Sequence, residues 1–143
     1  MPRKGKRSRF SVDVGLHAGE VYSRIVEQAF WWFIREQNLE SVESVENGVI
    51  RRGKRHIVVN IQRYRDIKCH GQIQEWDHEK TDYVIDLDYE QDLRDFVATI
   101  MHELVHLQQY ETNDWYDDGE LECEARQYEL ADEFWEQGLT LNG

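Results

Sequence analysis

The chain is poor in cysteine, and it has no long apolar run. Cys69 and Cys123 are the only cysteines among 143 residues, too few for a disulfide framework or a four-cysteine zinc ribbon. They read as free thiols of a reducing compartment, with a single disulfide as the lesser alternative. No stretch approaches the roughly 18 consecutive apolar residues that a membrane span needs. The basic N-terminus is followed by neither an apolar segment nor a cleavage site, so no secretory leader is expected. A cytoplasmic location is the consistent reading.

What is present is a globular composition. Hydrophobic residues make up 40% and aromatics 12%, enough for one domain with its own core. The charge is uneven. Residues 1–68 hold 14 Lys or Arg against 8 Asp or Glu, whereas residues 69–143 hold 3 against 21. An acidic half attracts cations and repels nucleic acid. The basic half concentrates its charge at residues 2–9 and 51–55. Both clusters suit a nucleic acid or another acidic surface; a solvated tail and a solvated turn are the simpler readings. Residues 1–18 are expected to form a disordered basic arm, and residues 19–143 a single domain.

Periodicity outlines the elements. Val21, Tyr22, Ile25, Val26, Ala29, Phe30, Trp32 and Phe33 recur at helical spacing over residues 19–37, and Asn38 suits the end of that helix. A strand-rich section follows. Asn47-Gly48 is a turn signal, residues 56–64 read as a strand and residues 70–76 as a weaker one. Over residues 81–89, Tyr83, Ile85, Leu87 and Tyr89 alternate with Asp82, Asp86 and Asp88. Residues 77–80 suit a hairpin turn. Leu93, Phe96, Val97, Ile100, Met101, Leu104 and Val105 then mark an amphipathic helix, with Asp88 and Gln91 resembling a capping box at its start. Past a polar loop, where Asp117 or Asp118 can serve as cap, a last helix shows the stripe Leu121, Ala125, Tyr128, Ala131 and Trp135, with Gly138 to stop it. The expected fold class is α+β: a backing helix, a small antiparallel-dominated sheet, then two helices.

The central helix carries His102-Glu103-Leu104-Val105-His106, a match to H-E-x-x-H. Residues four apart share a helix face, so the two imidazoles can grip one metal ion. Glu103 is then placed to take a proton from water on that metal. Ala98 and Thr99, one turn earlier, are small and leave room above the histidines. Catalytic zinc takes three protein ligands, and no histidine follows His106. Glu122 is the favoured third ligand. Ala125 lets its helix come close to a neighbour, and a glutamate three residues earlier lies on the same face. Glu129 and Glu124 rank behind it. Glu120 reads as a solvated carboxylate and Cys123 as a buried thiol. His56, His70 and His78 read as strand or surface residues, and Tyr116 and Tyr128 as packing residues rather than oxyanion donors.

His102-Glu103-Leu104-Val105-His106 followed by Glu122-Cys123-Glu124-Ala125 resembles the compact gluzincin-type zinc metallopeptidases. These include the minigluzincins and the phage-encoded or SprT-like relatives. The order of helix, small sheet, active-site helix and glutamate helix, over about residues 19–137, is similar to that zincin-like core. The resemblance implies a zinc peptidase acting on a protein or peptide. His102, His106 and Glu122 would be its ligands and Glu103 its base, in a cell or a phage-infected host. Two departures stand out. Arg126 occupies the place of an aspartate that often follows the family's alanine, and no C-terminal subdomain follows within the sequence. A zinc-binding structural or interaction protein, phage-related, is the alternative that these departures favour.

Overall fold

The computed structural model describes residues 8–16, 18–41, 44–46, 49–51, 53–78, 81–112 and 119–139. In chain order the elements are β1 (Phe10–Val14), α1 (Glu20–Glu36), a 3-10 turn (Leu39–Ser41), β2 (Ser44–Glu46), β3 (Val49–Arg51) and β4 (Arg55–Gln62). They continue with α2 (Tyr64–Ile67), β5 (Gly71–His78), β6 (Thr81–Asp88), α3 (Leu93–Thr112) and α4 (Gly119–Gln137). A four-stranded sheet runs β1-β4-β6-β5, and β2 and β3 form a separate antiparallel pair. The architecture is mixed α and β.

The core lies between one face of the sheet and helices α1 and α3. Val26 and Phe30 of α1, Val59 of β4, Ile85 and Leu87 of β6, and Ile100 and Leu104 of α3 converge there. The alternation read in residues 81–89 holds as far as Leu87, with Tyr83, Ile85 and Leu87 all buried; Asp88, expected on the outward side, is fully buried, and Tyr89 follows the strand's end. Asp86, on the opposite face, accepts from Asn60 Nδ2 (3.1 Å), Gln62 Nε2 (3.1 Å) and Gln72 Nε2 (2.9 Å). Among the described residues no helix covers that face, which suits its polar side chains. The α1 limits also agree with expectation, and Asn38 follows the helix at φ 53°. Asparagine tolerates this left-handed conformation better than most side chains.

Four expectations need correction. The sheet is not dominated by antiparallel pairs: β1–β4 and β4–β6 are parallel, and only β5–β6 is antiparallel. Chain direction is set by connections such as α1, which carries β1 over to β4, and alternation does not encode it. Residues 10–14, expected within the arm, are a strand with Phe10 buried and edge-on to Phe30. Phe10, Val12 and Val14 alternate with Ser11 and Asp13, so the signal was present beside the basic run. The cap of α3 is Asp92, whose Oδ1 accepts from Asp95 N at 3.1 Å; Asp88 instead accepts from Glu90 N in a turn after β6. Finally, most of the α4 stripe faces outward. Leu121, Ala125, Tyr128 and Trp135 are exposed; Ala131 alone of the stripe is buried, together with Cys123, Leu130 and Phe134. The expected turns at 47–48 and 79–80 and the caps at 117–118 lie outside the described residues.

Part of the basic half is neutralised by the acidic half. Glu111, near the end of α3 and 3% exposed, receives Arg9 Nη2 at 2.7 Å, Arg55 Nε at 3.0 Å and the Tyr83 hydroxyl at 2.6 Å. Two cations of the proposed polyanion contacts are therefore turned inward. Residues 2–7 and 52 lie outside the described residues. Replacing Glu111 with Gln leaves two guanidinium groups facing each other without their shared carboxylate. Because both arginines keep some solvent, we expect a loss of about 2–3 kcal/mol, read from urea denaturation. A loss below about 0.5 kcal/mol would show that water already screens the cluster.

Candidate metal centre

Helix α3 brings its two histidines together as the i, i+4 spacing requires. The ring centroids of His102 and His106 lie 5.2 Å apart, and both side chains are largely buried. Their Nε2 atoms converge on one carboxylate. His102 Nε2 contacts Glu120 Oε1, and His106 Nε2 lies 3.0 Å from Glu120 Oε2. Burial pushes the Glu120 carboxyl up, but the two imidazoles outweigh it and hold the group below the usual glutamate value.

The far side of each ring is held by an amide that sequence reasoning missed. His106 Nδ1 is 3.0 Å from Gln109 Oε1, and His102 Nδ1 is 2.5 Å from Gln127 Oε1. The Gln109 amide has one sensible orientation, since its Nε2 donates to Gly119 O at 2.9 Å and to Glu122 Oε1 at 2.8 Å. Its oxygen must then accept from His106 Nδ1–H. With Nδ1–H held by Gln109, the contact of Nε2 with a carboxylate oxygen at 3.0 Å needs a cation between the two atoms, either a second proton on the ring or a metal ion in that proton's place. Two imidazole nitrogens and a carboxylate, the rings oriented from behind by amide oxygens, suit a borderline divalent ion such as zinc. The donor set fits.

Glu122 is placed elsewhere. Its Oε1 accepts from Gln109, and its Oε2 lies 3.5 Å from Arg126. The helix face was misjudged because Ala125 is exposed rather than turned to α3. The stripe that meets α3 is Glu120, Cys123 and Gln127, at successive spacings of three and four residues; it faces His102, His106 and Gln109. Glu124 is exposed and lines a recess, and Glu129 is exposed. Arg126 does not touch either histidine. It donates to Gln108 Oε1 at 2.9 Å and Gln37 Oε1 at 3.1 Å. Cys123 is fully buried, and burial pushes its thiol up to about 12. Nonetheless, ligand atoms of His102, His106 and Cys123 lie within 4.8 Å of one another.

Glu103 is the other carboxylate of the centre. It is 5% exposed and accepts no hydrogen bond among the described residues. Burial pushes its carboxyl up to about 7; the His102 charge opposes that rise and the Glu120 charge adds to it. Gly71, first in β5, permits the close approach. A Cβ there would lie 2.5 Å from Thr99 Cγ2 and 3.1 Å from Glu103 Oε2. Two recesses, about 440 and 240 Å³, share Gly71, His102 and Glu103 in their walls. Thr99 lines the larger one, as a small residue above the histidines should, whereas Ala98 is packed in the core. His70, read as a strand or surface residue, also borders that recess, with Nδ1 2.9 Å from Asp88 Oδ2. His56 hydrogen-bonds Ser11 and Asp13 on the sheet and is remote from the centre.

No family profile, characterised protein or solved structure matches this chain. The chemistry of the centre therefore rests on its own residues.

In metal-free protein the raised carboxyl has a stability consequence. Below the ordinary glutamate value of 4.5, Glu103 is protonated whether the chain is folded or not, and it costs nothing. As pH rises toward 7, the unfolded chain loses that proton first, and folding stability falls. Metal-free Glu103→Gln should thus exceed the parent by about 2 kcal/mol at pH 8 and converge with it at about pH 4.5. Urea melts in chelator check this; a constant gap at all pH values would contradict it.

Proposed function

We propose that the chain is a zinc-dependent metallopeptidase. The observation that carries this reading is Glu103: a buried carboxylate without a hydrogen-bond donor, opening onto the recess that the two converging imidazoles border. His102 and His106 would hold the zinc through Nε2, with Glu120 rather than Glu122 as the carboxylate ligand. When bound, zinc supplies Lewis acidity, lowering the pKa of water and polarising a carbonyl. Glu103 takes the proton of the attacking water and returns it to the leaving amine. Gln109 and Gln127 keep the imidazoles in the tautomer that frees Nε2.

The substrate strand is expected beside the sheet, but not along β6. β6 is paired on both sides, by β4 and β5. β5 is the edge strand, and its Gly71, Gln72 and Ile73 border the smaller recess. A peptide adding to β5 would bring its backbone past Glu103 by main-chain hydrogen bonds alone.

A second reading has its own observation. Cys123 lies close enough to the two histidines to act as a further ligand, and four protein ligands would close the site and make it structural. Cobalt(II) substitution separates the two. A site held by His102, His106 and Glu120 gives no thiolate-to-cobalt charge-transfer band. A band that is lost in Cys123→Ser but kept in Cys69→Ser, in a cobalt spectrum that azide or cyanide does not perturb, would establish the closed four-ligand site and overturn the peptidase.

A further inference from the structure

The larger recess carries information about the substrate. Its charged wall residues besides Glu103 are Asp95 of α3 and Glu124 of α4, and no Lys or Arg lines it. Asp95 Oδ1 accepts from the Tyr128 hydroxyl at 2.6 Å, which fixes the carboxylate at the rim. That hydrogen bond also holds Asp95 below the usual aspartate range, so it stays charged. Glu124 is exposed and has no hydrogen bond or ion pair among the described residues. The neighbouring cation, Arg94, is occupied. It pairs with Asp132 at 3.1 Å and lies 4.6 Å over the Tyr128 ring. The recess, about 440 Å³, admits a long side chain with water around its end.

An acidic wall alone would be an ordinary solvated surface. This one is joined to Glu103, a buried carboxylate that lacks a donor and faces the same space. The recess thus has a deep acceptor beside the reacting centre and two further acceptors toward its mouth. Two imidazoles also line the recess, His70 and His102, each already paired with a carboxylate, Asp88 and Glu120 respectively; glutamine amides, a threonine, a tyrosine and Gly71 complete the wall.

Resting on the peptidase reading above, we propose that this recess is a specificity pocket for a Lys or Arg side chain adjoining the scissile bond. Asp95 and Glu124 are the specificity-determining residues. The substrate class is then a basic peptide segment, drawn in by a strongly acidic half of the molecule. Because both carboxylates face water, the preference is expected to be moderate, about five- to tenfold with both present, and to weaken as salt rises.

The test uses zinc-loaded full-length protein and paired peptides that differ at one position, lysine against norleucine. Turnover is measured on the parent, and equilibrium binding on zinc-loaded Glu103→Gln. The expected result is faster cleavage and about five- to tenfold tighter binding of the lysine peptide. The ratio should collapse toward one in Asp95→Asn/Glu124→Gln. Cleavage with no preference for lysine overturns the pocket and leaves the peptidase standing. Selective binding of the lysine peptide without cleavage by the parent overturns the peptidase and retains the pocket. Neither cleavage nor selective binding overturns both. If the double variant folds poorly, Glu124→Gln alone, at an exposed position, should still halve the preference or more.

Discussion

Glu103→Gln should retain zinc and lose peptide hydrolysis by about a thousandfold or more. The argument begins with what the substitution preserves. Glutamine has nearly the shape of glutamate, so the close approach to Gly71 survives, and neither imidazole is altered. What disappears is the only function that the geometry gives this side chain: accepting a proton within the recess and handing it on. General acid–base groups contribute about 10²–10⁴ in rate, and here one carboxylate would serve both half-reactions. Zinc content by elemental analysis, set beside turnover on a peptide mixture, checks both halves. Unchanged turnover in the variant, measured against a chelated control, would remove Glu103 from the chemistry. Loss of zinc along with activity would make it a structural member of the centre instead.

Glu120→Gln should weaken zinc binding by at least about a hundredfold, whereas Glu122→Gln should change it by about tenfold or less. The two glutamates are two residues apart on α4, yet their surroundings differ. Glu120 touches Nε2 of both histidines. Glu122 touches Gln109, which in turn orients His106. Residues that orient a ligand typically change metal affinity by about 10–100-fold. Glu122, one contact further removed, should fall at the bottom of that range, and a true ligand at its top or beyond. Competition titration with a chromogenic chelator ranks the variants. The reverse order would restore Glu122 as the ligand, and would require α4 to rotate by about half a turn on binding metal.

These two residues show where sequence reading stopped. The H-E-x-x-H spacing states a geometry by itself, because i and i+4 coincide on any helix. His102 and His106 did converge. The choice of glutamate depended on which side of α4 meets α3, and the last helix offered two apolar stripes. Leu121, Tyr128 and Trp135 are larger and look more like a core, yet they face solvent. Leu130 and Phe134 were the true anchors, with Cys123 and Ala131 between them. A stripe that leaves Trp135 exposed is not one that hydrophobicity alone selects. Gln109 and Gln127 went unnoticed for a related reason. Glutamine has no marked pattern of its own, and its value here comes from the ring nitrogen it contacts, one turn along α3 for Gln109 and across from α4 for Gln127.

The sequence by itself determined the elements that rest on local periodicity: α1, α3 and the alternating strand β6, together with the paired histidines and the carboxylate beside the first. Those follow from side chains close along the chain, where helical or extended geometry leaves no choice of neighbour. The tertiary structure decided the parallel order of β1, β4 and β6 and the edge position of β5. It also decided the inward turn of Arg9 and Arg55 toward Glu111, and the carboxylate that faces the imidazoles. Each of these joins residues distant in sequence, and such pairings are selected by the packing of whole elements against one another rather than by any short stretch of chain.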